Sequence, residues 1–168
     1  MRGKYYDVVN FSRKYKAGMR SLFLDLKRWR KFTTRYRLDW EKARFTPENQ
    51  DAIPKQRGIY VFTAELSPAK LPPHGYILYV GIAGDKSAGT LYKRYGQYLR
   101  EGKEANNRPA IVYMLKNWEK DLFFNFVPLP KTSIDLARME SAFINAIIPP
   151  FNERDVNAEV FAARAAGL

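Results

Sequence analysis

The sequence predicts an α+β fold with a basic helical extension at its N-terminus, and three observations carry that expectation. Three short segments rich in β-branched and aromatic residues, Ile59–Thr63, Tyr76–Ile82 and Leu122–Val127, lie between glycine- and proline-containing stretches. Segments with helical periodicity, about Thr90–Arg100, Ala110–Trp118 and Thr132–Ile148, follow or separate them. Residues 1–45 combine a helical apolar stripe with most of the positive charge.

At 168 residues the chain can bury one core and still carry an appendage. With 46% hydrophobic and 15% aromatic residues, disorder is excluded as its main state. The absence of cysteine removes disulfides, thiolate nucleophiles and cysteine-based zinc sites. A single histidine, His74, excludes a polyhistidine metal cluster and weakens any serine–histidine mechanism. No apolar stretch has the length of a membrane span and no signal-peptide core is apparent, so a cytoplasmic protein without membrane contact is expected.

The extension is read as residues 1–50 and the main domain as 51–168. Residues 1–45 hold 14 Lys/Arg against 4 Asp/Glu, a net of +10 out of +12 for the chain. Such a local excess suits a polyanion, since each neutralised phosphate releases counterions; a solvated helix face or an anionic membrane surface are the alternatives. Tyr15, Met19, Leu22, Leu26, Trp29, Tyr36 and Trp40 fall on one helical face, which is expected to dock on the core. Lys14, Lys27, Arg28, Arg30, Lys31, Arg35 and Arg37 lie mostly off that stripe and face outward; Arg28, Arg30, Lys31, Arg35 and Arg37 are the candidate nucleic-acid contacts.

Along the main domain, Thr46 is placed to cap a short helix with Pro47 in its first turn, ended by Pro54. The first strand follows. Residues 64–75, with three prolines and Gly75, read as a loop that includes His74. After the second strand, Gly84–Gly89 forms another loop before the helix that opens at Thr90. The Asn106-Asn107 connection leads to the next helix and the third strand. Thr132, with Asp135 three residues on, opens the helix that Pro149-Pro150 stop, and Asp155–Ala166 forms a last helix.

Two charged residues break these patterns. Glu140 shares a helical face with Leu136, Phe143 and Ile144, where a carboxylate is costly unless paired or bound to a metal. Arg94 sits similarly among Leu91, Tyr95 and Tyr98. Either the two form a buried ion pair, or both face a cleft, Glu140 holding a divalent cation and Arg94 a phosphate.

Gly58-Ile59-Tyr60 followed by Tyr79-Val80-Gly81 resembles the signature of the GIY-YIG nuclease superfamily. Arg94 and Tyr98 on the next helix, Glu140 on a later one, and Asn152 after Pro149-Pro150-Phe151 follow in that family's order. The resemblance spans roughly Pro54 to Asn152. It implies a small three-stranded antiparallel sheet flanked by helices, with a metal-dependent nuclease site on one face. It implies catalytic roles for Tyr60, Tyr79, Arg94, Tyr98, Glu140 and Asn152. Glu140 would be the sole protein ligand of Mg²⁺ or Mn²⁺, and Arg94 would clamp the scissile phosphate. Tyr60 or Tyr79 would orient or deprotonate the attacking water, Tyr98 would support the phosphate, and Asn152 would hydrogen-bond within the site.

The chain departs from the family's pattern in its longer spacings from Tyr60 to Tyr79 and from Gly81 to Arg94. It also has Ile82 where many members carry a lysine that assists the water-activating tyrosine; Lys86 and Lys93 are the candidate substitutes and further nucleic-acid contacts. The expected function is cleavage of double-stranded DNA, as a homodimeric restriction-type enzyme or as a mobile-element, repair or structure-specific nuclease. The competing class is a non-catalytic nucleic-acid-binding protein.

Overall fold

Tyr60, Phe62 and Ala64 alternate along the chain with Ile59 and Val61, and the two sets enter separate cores on opposite faces of one sheet. The structure, a computed structural model, describes residues 24–66, 72, 74–103 and 108–152. Their order is α1 (Leu26–Lys31), β1 (Glu41–Arg44), a 3-10 turn (Pro47–Ala52), β2 (Gly58–Leu66), β3 (His74–Ala83), α2 (Leu91–Glu101), α3 (Pro109–Asn117), β4 (Leu122–Pro128) and α4 (Leu136–Ile147). The first core joins the sheet to α2 and α3 through Leu91, Tyr95, Ile111 and Met114; the second joins it to α4 through Leu136, Phe143 and Ile144.

The fold is α+β, as expected, but the described sheet has four strands rather than three, antiparallel throughout and ordered β1-β4-β2-β3. The unexpected strand is β1. Helical spacing through Trp29, Tyr36 and Trp40 predicts helix to residue 40, yet α1 ends at Lys31 and Phe32 is already extended (φ −63°, ψ 119°). Phe32, Tyr36 and Leu38 still pack on the second core, Phe32 with its ring 4.4 Å from that of Phe143. The chain then pairs Glu41–Arg44 with Phe123–Phe126 of β4. Only Ala43 of β1 packs on the first core, while Lys42 lies over the Phe123 ring at 4.9 Å. Four residues with one small inward side chain give too little alternation to mark a strand. Residues 41–45, placed before the boundary at residue 50, are therefore part of the sheet and its core, Phe45 packing 5.1 Å from Phe62.

Elsewhere the differences are at ends. β2 runs to Leu66 and β3 begins at His74, so the hairpin extends into the stretch read as loop and His74 is a strand residue. Thr90 caps α2 by accepting from the Lys93 N–H at 3.2 Å. α4 starts later than Thr132 predicts, because the Asp135 carboxylate caps it by accepting from Arg138 N–H at 2.9 Å. It ends at Ile148 in the left-handed region (φ 54°), before the two prolines. The apolar residues Tyr15, Met19 and Leu22, the basic residue Lys14 and the expected helix 155–166 lie outside the described residues.

Gly58 faces β3 and β4 at once, opposite Ala83 and Pro128. A Cβ there would strike the Val127 carbonyl oxygen, a backbone atom that cannot step aside without moving β4. Gly58→Ala is therefore expected to cost at least the about 1–3 kcal/mol of an overpacked core site, read from urea unfolding midpoints; a change within about 0.5 kcal/mol would show that β4 yields freely.

Candidate active site

The β2–β3 register places Tyr60 opposite Gly81. The Tyr60 phenol occupies the space that a Cβ on Gly81 would need, meeting its hydroxyl and ring together. The ring stacks on Phe124 with centroids 5.0 Å apart, and the hydroxyl is 2.8 Å from that of Tyr98 on α2. Both phenols are about 1% exposed, so neither reaches solvent from this position.

Tyr79 is aimed by an irregularity in the hairpin. Phe62 pairs with Tyr79 and Thr63 with Ile77, which leaves Leu78 as an extra residue on β3. Leu78 and Tyr79, although consecutive, both pack on the first core, and the half-buried Tyr79 ring lies 6.4 Å from Tyr60 and 6.2 Å from Tyr98. The outer edge of β3 is closed by the chain after α4. Phe151 N–H donates to the Leu78 carbonyl at 3.1 Å. The Asn152 side chain accepts from Val80 N–H at 2.8 Å and donates to the Val80 carbonyl at 2.9 Å. Asn152 thus pins the residue between Tyr79 and Gly81 through its backbone.

A polar chain not foreseen from sequence runs beside the phenols. Arg94 donates to the Gln97 amide oxygen at 2.9 Å, and the Gln97 amide donates to Glu101 at 2.6 Å. Arg108 approaches Glu101 at 3.4 Å and the hydroxyls of Tyr79 and Tyr98 at 3.5 Å each. Its guanidinium lies 5.4 Å from the Tyr98 ring centroid. Gln97 and Glu101 follow Arg94 at helical spacing, a pattern that could have been noticed; Arg108 lies in a polar connection, where nothing local marks it. Among the described residues Arg94 is not seen paired with Glu140; it donates to Gln97.

Burial acts on the phenols of Tyr60 and Tyr79. Burial pushes the Tyr60 pKa well above its ordinary value, with Tyr98 and Tyr79 adding to the effect and Arg94 opposing it. Tyr79 is raised as well, mainly by burial and Tyr98; Arg108 works against the shift, and Glu140 adds to it from across the site. For Arg108, burial opposes the charge, but Tyr98, Tyr79 and Glu101 outweigh it and raise its pKa. Glu140, half-buried on α4, is thereby within electrostatic reach of Tyr79.

Tyr60, Tyr79, Tyr98 and Arg94 thus gather on one side of the sheet; Glu140 lies on α4, which packs on the other face, and acts on Tyr79 through its charge. The candidate basic residues of the extension that the structure describes are engaged elsewhere or exposed on α1. Arg28 pairs with Asp25 at 3.4 Å, Arg37 with Asp39 at 2.7 Å, and Arg35 donates to the Tyr36 hydroxyl at 2.8 Å. Arg30 and Lys31 are exposed on α1, which packs against α4. Lys86 and Lys93, by contrast, flank the entry to α2 and are exposed.

Among the described residues no group of three or more His, Cys, Asp or Glu side chains could hold a metal ion. One carboxylate beside a phenol fits a hard cation that keeps most of its waters and takes substrate oxygens, and does not fit a protein-only cage. Among the same residues no helix is long and apolar enough to cross a membrane. Comparison with protein-family models, curated proteins and solved structures returns no match.

Raised phenol pKa values fix the sign of an alkaline effect. In the unfolded chain these tyrosines ionise near pH 10, whereas in the fold Tyr60 and Tyr79 hold their protons well beyond that and Tyr95 holds its proton to about 12. Their contribution is complete below about pH 10 and is lost as pH rises through the folded values. Urea titrations above about pH 10 are expected to show stability falling, and Tyr60→Phe to remove about one proton from the slope. An unaltered slope in that variant would show that Tyr60 ionises alike in both states.

Proposed function

We propose that the protein is a divalent-metal-dependent DNA endonuclease of the GIY-YIG type. The observation that carries this reading is the convergence of Tyr60, Tyr79 and Tyr98 around Gly81, with Arg94, Arg108 and Glu140 acting on the same phenols. Of the three hydroxyls, that of Tyr79 belongs to the least buried ring, so Tyr79 is the one assigned to orient the attacking water. Tyr60 and Tyr98 hold the site's shape through their mutual hydrogen bond, and Asn152 holds the strand. Arg94 takes the scissile phosphate, whose charge its guanidinium matches. Glu140 would hold Mg²⁺ or Mn²⁺, which when bound supplies charge relief on the phosphoryl oxygens and eases loss of the water's proton. Double-stranded DNA is the proposed substrate, and a homodimer the arrangement that cuts both strands.

A restriction-type role suits a short chain whose recognition surface must come from the hairpin extension, the loop before α2 and the basic N-terminal region. A non-catalytic binding protein is the second reading, favoured by the enclosure of two phenols and by Ile82 after Gly81.

Glu140→Ala is expected to abolish cleavage of plasmid DNA in Mg²⁺ while salt-sensitive binding persists; cleavage at the parent rate would remove the metal assignment. Tyr79→Phe should lower the cleavage rate about 10²–10⁴-fold, the range of a lost acid–base or water-orienting group. Sequencing the ends produced from plasmid and phage DNA separates the roles: uniform ends mark sequence-specific restriction, scattered ends a non-specific or structure-selective nuclease, and no ends the binding protein. Because β1 and Phe45 are built into the sheet, the extension is tested by charge removal rather than truncation. Gln at Arg30, Lys31, Arg35 and Arg37 together should flatten the salt dependence of DNA binding; an unchanged slope would mean that these side chains leave the phosphates alone.

A further inference from the structure

We propose that the cleft along the exposed side of α2 docks the phosphate backbone of the DNA strand beside the bond to be cut. For the identity of the ligand this rests on the nuclease reading above; for the location it rests on the cleft's own charge. The cleft, about 370 Å³, is lined by Lys93, Arg94 and Arg100 of α2, by Gln50 of the 3-10 turn and by Ser87 of the preceding loop. Among the described residues no carboxylate lines it.

Its three cations are also unmatched from within. Elsewhere Arg57 lies 4.0 Å from Asp85, Arg108 3.4 Å from Glu101 and Lys42 2.7 Å from Glu65. In the cleft, the Lys93 ammonium donates to the Ala88 carbonyl at 3.3 Å and Arg94 to the Gln97 amide at 2.9 Å. The Arg100 side chain makes no hydrogen bond or ion pair among the described residues. Three positive groups around a concave surface without a carboxylate are complementary to an external anion.

The floor of the cleft is shaped for donors. Gly96 sits inside α2, where glycine costs stability relative to alanine. A Cβ there would displace the Gln50 amide nitrogen and come within 3.6 Å of an Arg100 guanidinium nitrogen. Gly96 thus admits an amide donor between the two ends of the cleft. Ser87 accepts from Gly89 N–H at 3.3 Å, which leaves its own O–H to donate outward.

Spacing sets how much backbone fits. Lys93 and Arg100 are seven residues apart, about 10 Å of helix rise, against roughly 3.4 Å of duplex axis per nucleotide of one strand. About three nucleotide steps of one strand span that length. Arg94 joins the cleft to the phenol site, since its charge also acts on Tyr60, so one end of the strand lies at the proposed cutting position. A lipid surface is a poorer match: the exposed large apolar residues, including Leu24, Leu26, Trp29 and Tyr113, line none of the cleft.

The test is duplex binding by the full chain without divalent metal, at salt from about 50 to 200 mM. Lys93→Gln with Arg100→Gln is expected to lower the slope of log K against log[salt] by about 1.8, two phosphates at about 0.9 each. Lys93→Arg with Arg100→Lys should keep the parent slope, which separates lost charge from a disturbed helix. An unchanged slope in the Gln variant overturns the proposal, as does a loss of binding to phosphatidylserine vesicles with duplex binding intact. Cleavage by the parent protein in Mg²⁺ is measured alongside. A parent that cuts while the Gln variant keeps its slope removes the cleft and leaves the nuclease. A lowered slope with a parent that does not cut keeps the cleft as a DNA-docking surface and removes the nuclease.

Discussion

The phenol of Tyr60 fills the space above Gly81, and much of the surrounding arrangement depends on that contact. Tyr60 lies on β2, paired on both sides by β3 and β4, so its ring cannot move without disturbing two ladders. The missing side chain at Gly81 is what lets the ring settle at this height. From there the hydroxyl reaches Tyr98, the ring stacks on Phe124, and α2 is held at one distance from the sheet. A methyl group on Gly81 would press on the aromatic cluster from below, where interior packing leaves little slack.

Burial then sets three chemically equal groups apart in exposure. A hydroxyl in an apolar environment keeps its proton, because the phenolate loses the water that stabilises it. Tyr60 and Tyr98 are enclosed and bonded to each other, which suits them to fixing geometry. Tyr79 owes its different position to the extra residue Leu78, which turns two consecutive side chains to one face. Arg108 opposes the burial of Tyr79 with a positive charge, although the net pKa remains raised. That charge comes from the N-terminal end of α3 and not from β3.

What was legible in the sequence was local. The strands beginning at Gly58, near Tyr76 and at Leu122 announce themselves by alternation, and α2 by Thr90 and its apolar face, because each pattern is written within about ten residues. Glu140 and Arg94 stood out by violating such patterns. Other misses involve pairings between distant segments. β1 has one small inward residue and is a strand only because β4 is there to receive it. The partner of Asn152 is backbone 72 residues away, and Arg108 meets Tyr79 across 29 residues. No property of those residues alone predicts such partners.

The polar chain on α2 gives the opposite faces of that helix a common electrical history. Arg94, Gln97 and Glu101 stand at i, i+3 and i+7, so they share one side of the helix and can hand donors along it. The orientation of the Gln97 amide follows from its ends: its oxygen faces the Arg94 donor and its nitrogen faces the Glu101 carboxylate. Glu101, 5% exposed, is in turn matched by Arg108, whose other arm reaches the Tyr79 and Tyr98 hydroxyls. An anion arriving at Arg94 competes with Gln97 for its donors. Any loosening of Gln97 leaves the buried carboxylate more dependent on Arg108, and so draws on the same guanidinium that faces the phenols. In a low-dielectric interior such chains respond together rather than pair by pair. A negative charge placed at Arg94 would therefore be felt at Tyr79 through Gln97, Glu101 and Arg108.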